Sequence, residues 1–231
     1  MSTLILSLET SSPICSVALH QDGTLLGQSE LRLEKSHSSH VSVLIEQLLE
    51  NTGNTVHNLG AVALSDGPGS YTGLRIGAAA AKGLCYALNI PLLAVSTLQA
   101  LAHQAAACTS MPENFLYCPM LDARRMEVYT ALYTHEGAEV LAPTPLVLEA
   151  DTLAEQMTHH HLLFFGNGTA KFQPLIAEQP NANFLTNIEP SAIAVGELAQ
   201  QAYLRQEFRD VAYYEPFYLK EVYTTTPKSK T

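Results

Sequence analysis

Glu9 stands where a predicted strand ends, and its carboxylate could take part in nucleotide or metal chemistry. It closes a short apolar run and precedes the turn Thr-Ser-Ser-Pro of residues 10–13. The carboxylate could orient a metal-bound water, and backbone N–H groups of such a turn could hold a phosphate. However, Pro13 has no N–H group, and the turn contains no glycine that would let the backbone approach a phosphate. The pattern therefore favours a structural role, in which Glu9 caps a turn.

Asp122 is a second acidic candidate, at the end of another predicted strand. It could act as a base near a cleft, or it could cap its own turn and pair with the neighbouring arginines. The Gly-Asn-Gly sequence of residues 166–168 follows a further predicted strand and could receive an adenosine. Together with the turn after the first strand, these residues would line a degenerate nucleotide cleft. The predicted cleft residues are Glu9, Thr10, Ser11, Asp122, Gly166 and Gly168.

A glycine-rich run from Gly67 to Gly77 follows a strand and begins a helix. Its amides and the helix dipole could bind an anion. The run lacks the Gly-Lys-Ser/Thr ending of a P-loop and the Gly-x-Gly-x-x-Gly spacing of a dinucleotide-binding turn. We therefore expect these glycines to serve a tight turn and close packing of the helix.

Metal-binding and nucleophilic patterns are weak in this sequence. His37 and His40 lie three residues apart without a third ligand, and the consecutive histidines 159–161 cannot all face one ion. No Ser/His/Asp or Cys/His arrangement and no carboxylate pair for acid–base work stands out. The four cysteines form no Cys-x-x-Cys pair, so we expect reduced thiols. They are Cys15, Cys85, Cys108 and Cys118. The sequence thus predicts no catalytic residue, no metal and no cofactor.

The composition indicates a folded protein that does not grip nucleic acid tightly by itself. Of 231 residues, 47% are hydrophobic and 15% charged, and the formal net charge is −10. The one obvious basic cluster is in the tail, at Lys220, Lys228 and Lys230, which is too small to neutralise many phosphates. The apolar segment at residues 4–8 is too short for a secretory signal, and no stretch is long enough to span a membrane. We expect a cytoplasmic protein.

The order of predicted elements places these residues in an α/β fold. Apolar runs, an Asp-Gly hairpin and helical spacing give the order β-β-β-α-β-α-β-α over the first hundred residues. The second half repeats this start more weakly, and residues 134–160 receive no assignment. This is the duplicated, mixed-sheet fold of the actin, sugar kinase and Hsp70 superfamily, with a shortened second lobe. We predict lobes at residues 1–99 and 100–231, the latter ending in a strap that loses order near Pro227.

The helix predicted at residues 72–88 has more small apolar surface than one sheet can cover. Four alanines, residues 78–81, lie between Gly77 and Gly83, and the few polar side chains fall on one stripe. A second helix, residues 39–51, adds further apolar positions. Another subunit could cover the remainder, because small residues permit close helix approach. The predicted partner surface consists of Val41, Leu44, Ile45, Leu48, Tyr71, Leu74, Arg75, Ala78, Ala79 and Lys82.

Several of these segments resemble the TsaB family. The resemblance rests on residues 9–11 and 15–19, on the glycine run with the Ala-Lys-Gly-Leu that follows it, and on the hairpin at residues 122–129. The ending Pro-x-Tyr-Leu-Lys, residues 216–220, also matches, with Lys220 in place of arginine. The match is dense over residues 1–133 and thin from there to about residue 212.

This resemblance implies a non-catalytic subunit that binds a TsaD-like catalytic protein through the helices at residues 39–51 and 72–88. The complex would transfer a threonylcarbamoyl group from an adenylate to the adenosine beside the tRNA anticodon. A TsaE-like ATPase would complete the assembly, and a homodimer could form in isolation. The resemblance adds no direct, tight tRNA binding by this chain.

The alternative is a metal- or ATP-dependent enzyme of the glycopeptidase or ATPase type, acting alone through Glu9 and Asp122. TsaD-like proteins carry a His-x-x-x-His pair on the helix that follows the last strand of the first domain. Here that helix, residues 96–107, contains only His103. The missing pair and Pro13 argue against catalysis by this chain. A structural homodimer without any catalytic context is a second alternative.

Overall fold

The computed structural model of the protein describes residues 2–33 and 37–220, with the side chain of His37 outside that description. The tail residues Lys228 and Lys230 and the predicted loss of order near Pro227 also lie outside the described residues. None of the helices within the described ranges combines the length and the apolar character that a membrane crossing requires.

The first half of the chain forms a five-stranded sheet with three helices. Its elements are β1 (Leu4–Glu9), β2 (Cys15–Gln21), β3 (Thr24–Leu31), α1 (His37–Asn51), β4 (Ala61–Gly67), α2 (Tyr71–Leu88), β5 (Leu92–Ser96) and α3 (Thr97–Ala107). The strand order is β3-β2-β1-β4-β5. The first three strands form an antiparallel meander, while β4 and β5 run parallel to β1. The predicted order of elements is confirmed.

The second half repeats this topology. Its elements are β6 (Phe115–Asp122), β7 (Glu127–Tyr133), β8 (Glu139–Val147), α4 (Ala154–His159), β9 (His161–Phe165), α5 (Thr169–Phe172), β10 (Ala182–Phe184) and α6 (Ala192–Leu204). The strand order, β10-β9-β6-β7-β8, matches that of the first sheet strand for strand. The stretch that the sequence left unassigned contains β8 and α4. The helices between strands are shorter than in the first half, as the weaker sequence pattern predicted.

The helix that ends each half packs against the other sheet. Leu98 and Leu101 of α3 lie in one core with Tyr117 and Phe165 of the second sheet. α6 covers the inner face of the first sheet, where Val195 and its small neighbours contact strands β1, β4 and β5. The outer face of the first sheet is covered by α1 and α2. The division of the chain at residues 99 and 100 stays a prediction.

α2 begins against the turn that follows β1, and this contact requires glycine. Ser70 caps the helix by accepting a hydrogen bond from the Gly73 N–H at 3.3 Å. An ideal Cβ atom placed on Gly73 would overlap the carbonyl oxygen of Thr10. Gly83, further along the same helix, is exposed, and no other part of the described chain lies within 4 Å of its ideal Cβ position. The two glycines therefore stand in opposite environments.

The four cysteines are free thiols. Cys15, Cys85 and Cys118 are buried, and Cys108 is exposed. Loss of solvation on burial raises the pKa of Cys15 and Cys85 to about 11 and that of Cys118 to about 12. These three thiols are therefore protonated and unreactive at neutral pH.

His20 is a buried polar side chain between β2 and α6. It is fully buried, and neither ring nitrogen has a hydrogen-bond partner among the described residues. An ideal Cβ atom on Gly196 of α6 would overlap the imidazole, so only glycine leaves room for the ring. Burial lowers the pKa of His20, although the charge of Glu197 acts in the opposite direction.

The fold should lose stability as His20 becomes protonated. Because the pKa of His20 is lower in the folded than in the unfolded chain, the unfolded chain binds the proton more readily. The contribution of neutral His20 to the free energy of unfolding is complete above the unfolded-state pKa of about 6.5. It is lost as the pH falls below that value. We expect urea unfolding to show a smaller decrease in stability between pH 7.5 and pH 5 for His20→Gln. The exposed control His57→Gln should keep the original pH dependence, and equal slopes in all three proteins would contradict the prediction.

Substitution of the two glycines of α2 should have opposite effects. Gly73→Ala forces a methyl group against a backbone carbonyl and should lower the free energy of unfolding by about 2 kcal/mol or more. Gly83→Ala removes backbone freedom from the unfolded chain at an open position and should raise it by about 0.5–1 kcal/mol. Urea unfolding of both variants measures the difference. An equal effect of the two substitutions would show that the contact with Thr10 does not constrain the fold.

Candidate functional site

Glu9 lies at the carboxyl end of β1, buried with the rest of its turn. Its side chain is fully inaccessible, and Oε1 accepts a hydrogen bond from the Ser11 N–H at 2.6 Å. Oε2 has no hydrogen-bond partner within the described ranges. Burial raises the pKa of this carboxyl, and the hydrogen bonds from Ser11 and Ser65 only partly oppose that shift. The carboxyl therefore caps a turn, as the structural interpretation predicted, and it is also poorly solvated.

The N-terminus of α2 fills the place where this turn could have received a phosphate. The Ser70 N–H donates to the Ser11 carbonyl oxygen at 2.6 Å, and Thr10 Oγ1 donates to the Gly73 carbonyl oxygen at 2.9 Å. An ideal Cβ atom on Gly69 would lie 2.5 Å from the Ser11 carbonyl oxygen. The predicted role of the glycine run in close packing is confirmed. The Ser70 N–H, at a helix start of the kind that often binds anions, here donates within the chain.

Asp122 occupies the equivalent place at the end of β6, but it is exposed. Its Oδ1 atom accepts hydrogen bonds from Lys171 Nζ at 2.6 Å and from the Arg124 N–H at 2.9 Å. Partial burial alone would raise the pKa of Asp122, but the bonds and charges of Lys171 and Arg124 hold it below its ordinary value. The carboxylate caps its turn and pairs with a lysine. Sequence reasoning expected an arginine partner and missed Lys171, which lies 49 residues away.

Gly166 and Gly168 pack against the end of β6. Gly166 has a φ angle of +94°, and its ideal Cβ position lies 2.5 Å from the Met120 carbonyl oxygen. The Gly168 N–H donates to the same oxygen at 2.9 Å. Asp122 and these glycines therefore lie together at the second sheet. No hydrogen bond of the described chain joins this group to Glu9, Thr10 or Ser11, and a nucleotide cleft between the two groups stays a prediction.

The predicted partner surface on α1 and α2 divides into an inward and an outward set. The inward set consists of six buried residues: Val41, Leu44, Ile45, Leu48, Leu74 and Ala78. They recur at helical spacing toward the first sheet, and all but Leu74 belong to its core. Their burial corrects the expectation that they face outward, although Ile45 also lines a groove between α1 and α2. Tyr71, Arg75 and Ala79 are exposed and Lys82 is half-buried. These four side chains are the solvent-accessible part of the predicted surface, and their contact with a partner stays a prediction.

An apolar groove of about 600 Å³ runs between α1 and α2. Its lining includes Ile45, Leu49, Val56, Ala79, Ala80, Gly83 and Leu84. Ala79 and Gly83 are exposed there, one helical turn apart, so the backbone of another helix can approach closely. The sequence prediction omitted Gly83 and Leu84, although the four-residue spacing of small residues on α2 pointed to this face.

Metal-binding side chains do not converge in the part of the chain that the structure describes. No three His, Cys, Asp or Glu residues there are placed to share an ion. The consecutive histidines 159–161 are exposed at the end of α4 and the start of β9. His103 of α3 instead contacts Glu197 of α6, with 3.0 Å between Nε2 and Oε2. The absence of a native metal stays a prediction.

Comparison with known proteins gives the family and the fold. The family model described as TsaD, tRNA N6-adenosine threonylcarbamoyltransferase, matches residues 31–228. A TsaB protein of Bacillus subtilis, named for tRNA threonylcarbamoyladenosine biosynthesis, is 33% identical over 75% of each chain. A Pseudomonas aeruginosa crystal structure, described as similar to the peptidase YeaZ, has a TM-score of 0.79 and 28% identity. It covers 94% of this chain and 100% of that one.

A more distant structure supports the actin-like fold class. The Clostridium difficile activator of 2-hydroxyisocaproyl-CoA dehydratase, solved with bound ADPNP, has a TM-score of 0.50 at 9% identity. It covers 91% of this chain and 99% of that one, which at this identity concerns the fold alone. The duplicated sheets, the glycine run and the close relatives agree with one another. The chain belongs to the family described by the TsaD model and, within it, to the TsaB proteins of threonylcarbamoyladenosine biosynthesis, also called YeaZ.

Proposed function

We propose that this chain is a non-catalytic subunit that binds a TsaD-like protein and supports threonylcarbamoyl transfer to the adenosine next to the tRNA anticodon. A TsaE-like ATPase completes the assembly, which acts in the cytoplasm. The relatives are named for tRNA threonylcarbamoyladenosine biosynthesis, which supports this choice of pathway. The match to a TsaD model implies that the partner shares this chain's fold.

The groove between α1 and α2 is the observation that carries the proposal. Exposed apolar grooves of this size often mark ligand or protein interaction sites. Ala79 and Gly83 leave room for a helix, whereas a small polar ligand would find few hydrogen-bonding groups along α2. A partner helix seated there would meet α1 on one side and α2 on the other, and would form a helix bundle across the interface.

The internal hydrogen bonds between the Glu9 turn and the start of α2 support a non-catalytic role. Ser11 and Thr10 already occupy the N-terminal turn of α2, so a phosphate would have to displace them. Asp122 is held by Lys171 rather than presented to a cleft. The chain therefore contributes surface to the complex, and the reacting groups belong to the TsaD-like subunit.

The charges beside the groove permit a homodimer when the partner is missing. Glu46 and Glu50 line the α1 side, whereas Arg75 lies exposed on α2. A two-fold axis would bring the acidic edge of one copy toward the basic edge of the other. We propose that this self-association uses the same surface and gives way to the TsaD-like subunit.

A charged side chain at Ala79 should block the complex without unfolding the chain. Ala79→Glu places a carboxylate in the groove, and burial of an unpaired charge costs about 3–5 kcal/mol. We expect the affinity for the TsaD-like protein of the same organism to fall by about 100-fold or more. Sedimentation velocity ultracentrifugation of the mixture measures complex formation, and thermal melts measure folding.

Ala107→Glu is the matched control, because Ala107 is an exposed alanine at the end of α3. It should bind the partner as the unaltered chain does. If Ala79→Glu melts normally and still forms the complex, the interface lies elsewhere on the molecule.

Replacement of Glu9 should change stability rather than activity. Burial raises the folded-state pKa of this carboxyl, so its protonation contributes stability that is fully present below the unfolded pKa and is lost as the pH rises through the higher folded pKa. Glu9→Gln keeps an acceptor for the Ser11 N–H and carries no charge. Urea unfolding should therefore show a gain in stability that is larger at pH 7 than at pH 4.

The same variant separates this proposal from an enzyme that acts alone. Complex formation and tRNA modification by the reconstituted assembly should be unchanged in Glu9→Gln. Loss of a general base or a metal-orienting carboxylate would instead lower turnover by about 100-fold or more. ATP or peptide hydrolysis by the isolated chain that disappears in Glu9→Gln would refute the non-catalytic role.

A further inference from the structure

The segment after α6, residues 208–220, forms a strap along the first sheet and α2. It is anchored to β5 by the Arg209 N–H, which donates to the Leu92 carbonyl oxygen at 2.8 Å. At the end of β4, Asp66 takes two further bonds: the Phe217 N–H donates to its carbonyl oxygen at 2.8 Å, and the Tyr214 hydroxyl donates to Oδ1 at 2.7 Å. The C-terminal strap is therefore attached to strands β4 and β5 of the first sheet.

α2 holds the C-terminal strap with three side chains of the predicted partner surface, the polar stripe of Tyr71, Arg75 and Lys82. Lys82 Nζ donates to the carbonyl oxygens of Ala212 and Tyr214 at 3.2 and 3.0 Å. The ring of Tyr71 packs on that of Tyr218, with 5.0 Å between the ring centroids. Arg75 donates to the Tyr71 hydroxyl at 3.0 Å and so fixes that ring. The stripe is thus used within the chain.

The far end of the C-terminal strap reaches the second sheet. Lys220 pairs with the carboxylate of Glu127, the first residue of β7. The Glu127 backbone carbonyl in turn accepts a hydrogen bond from Lys171, which also pairs with Asp122. The strap therefore spans the distance from α2 to the hairpin that carries Asp122.

The faces of α2 that hold the strap and line the groove are neighbours. At about 100° per residue, Tyr71, Arg75 and Lys82 fall within about 40° of one another. Ala79, Gly83 and Ala80 follow at about 80°, 120° and 180° on the same scale. A helix lying over Ala79 and Gly83 would therefore have α1 on one side and the C-terminal strap on the other.

Aromatic side chains are exposed along this edge. Tyr213 of the strap is 86% exposed and Tyr86, one turn after Lys82 on α2, is 85% exposed. Phe217 is exposed at 45%. Tyrosine is enriched at interfaces because it adds a large contact area with little loss of side-chain entropy. Exposure of these rings to water is unfavourable, and their burial by a partner would be favourable.

We propose that the C-terminal strap is the second wall of the partner surface. A TsaD-like subunit seated in the groove between α1 and α2 packs at the same time on Tyr86 and Tyr213. Lys82, Tyr71 and Tyr214 hold the strap in the position that this contact requires. The inference rests on the proposed function, because the same TsaD-like subunit would contact both the groove and the C-terminal strap.

Three variants test the strap in the full chain. Tyr213→Ala removes an exposed ring and leaves in place the described hydrogen bond from the Tyr213 backbone N–H to Asp210 Oδ1. Lys82→Met keeps the length of the side chain but removes both bonds to the strap. Val147→Ala, on β8 of the second sheet, is the control, since its side chain is apolar and 59% exposed. The partner is the purified TsaD-like protein of the same organism, and isothermal titration calorimetry measures its affinity.

We expect Tyr213→Ala and Lys82→Met each to weaken binding by about tenfold or more, as for residues at the centre of an interface. Val147→Ala should bind as the unaltered chain does. Hydrogen exchange at the Arg209 and Phe217 amides reports strap docking independently. Exchange should accelerate in Lys82→Met, which releases the strap, and stay unchanged in Tyr213→Ala, which removes one contact with the partner. The measurement therefore distinguishes undocking of the strap from loss of a single side chain.

The outcomes separate this inference from the proposed function. If Ala79→Glu abolishes the complex while Tyr213→Ala and Lys82→Met bind normally, the partner surface stands and the strap is not part of it. Accelerated exchange in Lys82→Met with unchanged affinity would likewise overturn the inference. If the unaltered chain fails to bind the TsaD-like protein, the proposed function fails and this inference fails with it.

Discussion

The close approach of α2 to the turn after β1 is the contact on which the first half of the molecule depends. Without a side chain at Gly73, the helix backbone lies directly against Thr10, and the Thr10 hydroxyl bonds the Gly73 carbonyl oxygen at 2.9 Å. This fixes where α2 begins and which of its faces covers the sheet. The groove beside α1 and the polar stripe under the strap follow from that orientation. One backbone contact thus sets the position of both surfaces of α2.

The same contact determines how the glycine run at the start of α2 is used. A glycine run at a helix start can bind an anion or allow close packing of a neighbouring backbone. The two uses exclude each other when the space is small. Here Ser11 and Thr10 take the space, and Glu9 is buried behind them. The equivalent turn in the second half is held by Lys171 and Asp122. Both turns therefore form their contacts within the chain, although Glu9 Oε2 has no hydrogen-bond partner among the described residues.

The sequence predicted local structure well because local structure depends on neighbouring residues. Apolar runs gave the strands, the Asp-Gly turn after β2 gave the hairpin, and the glycines gave the start of α2. It could not show which side of α1 faces inward, since Val41 and Leu44 are apolar whether a sheet or a partner covers them. The bond between Lys171 and Asp122 joins residues 49 apart. The role of Lys82 was missed for the same reason, because its acceptors lie 130 and 132 residues away.

The last helix of each half packs against the sheet of the other half, and this has a consequence for synthesis on the ribosome. The inner face of the first sheet, with Ile5, Ala63 and Leu93, is covered by α6, which ends at Leu204. Strands made first must therefore wait, with that face uncovered, until nearly the whole chain has emerged. At about 5–20 residues per second, the roughly one hundred residues after β5 take several seconds. During that interval the nascent first half presents an apolar surface to chaperones, and a chain truncated before α6 would keep presenting it.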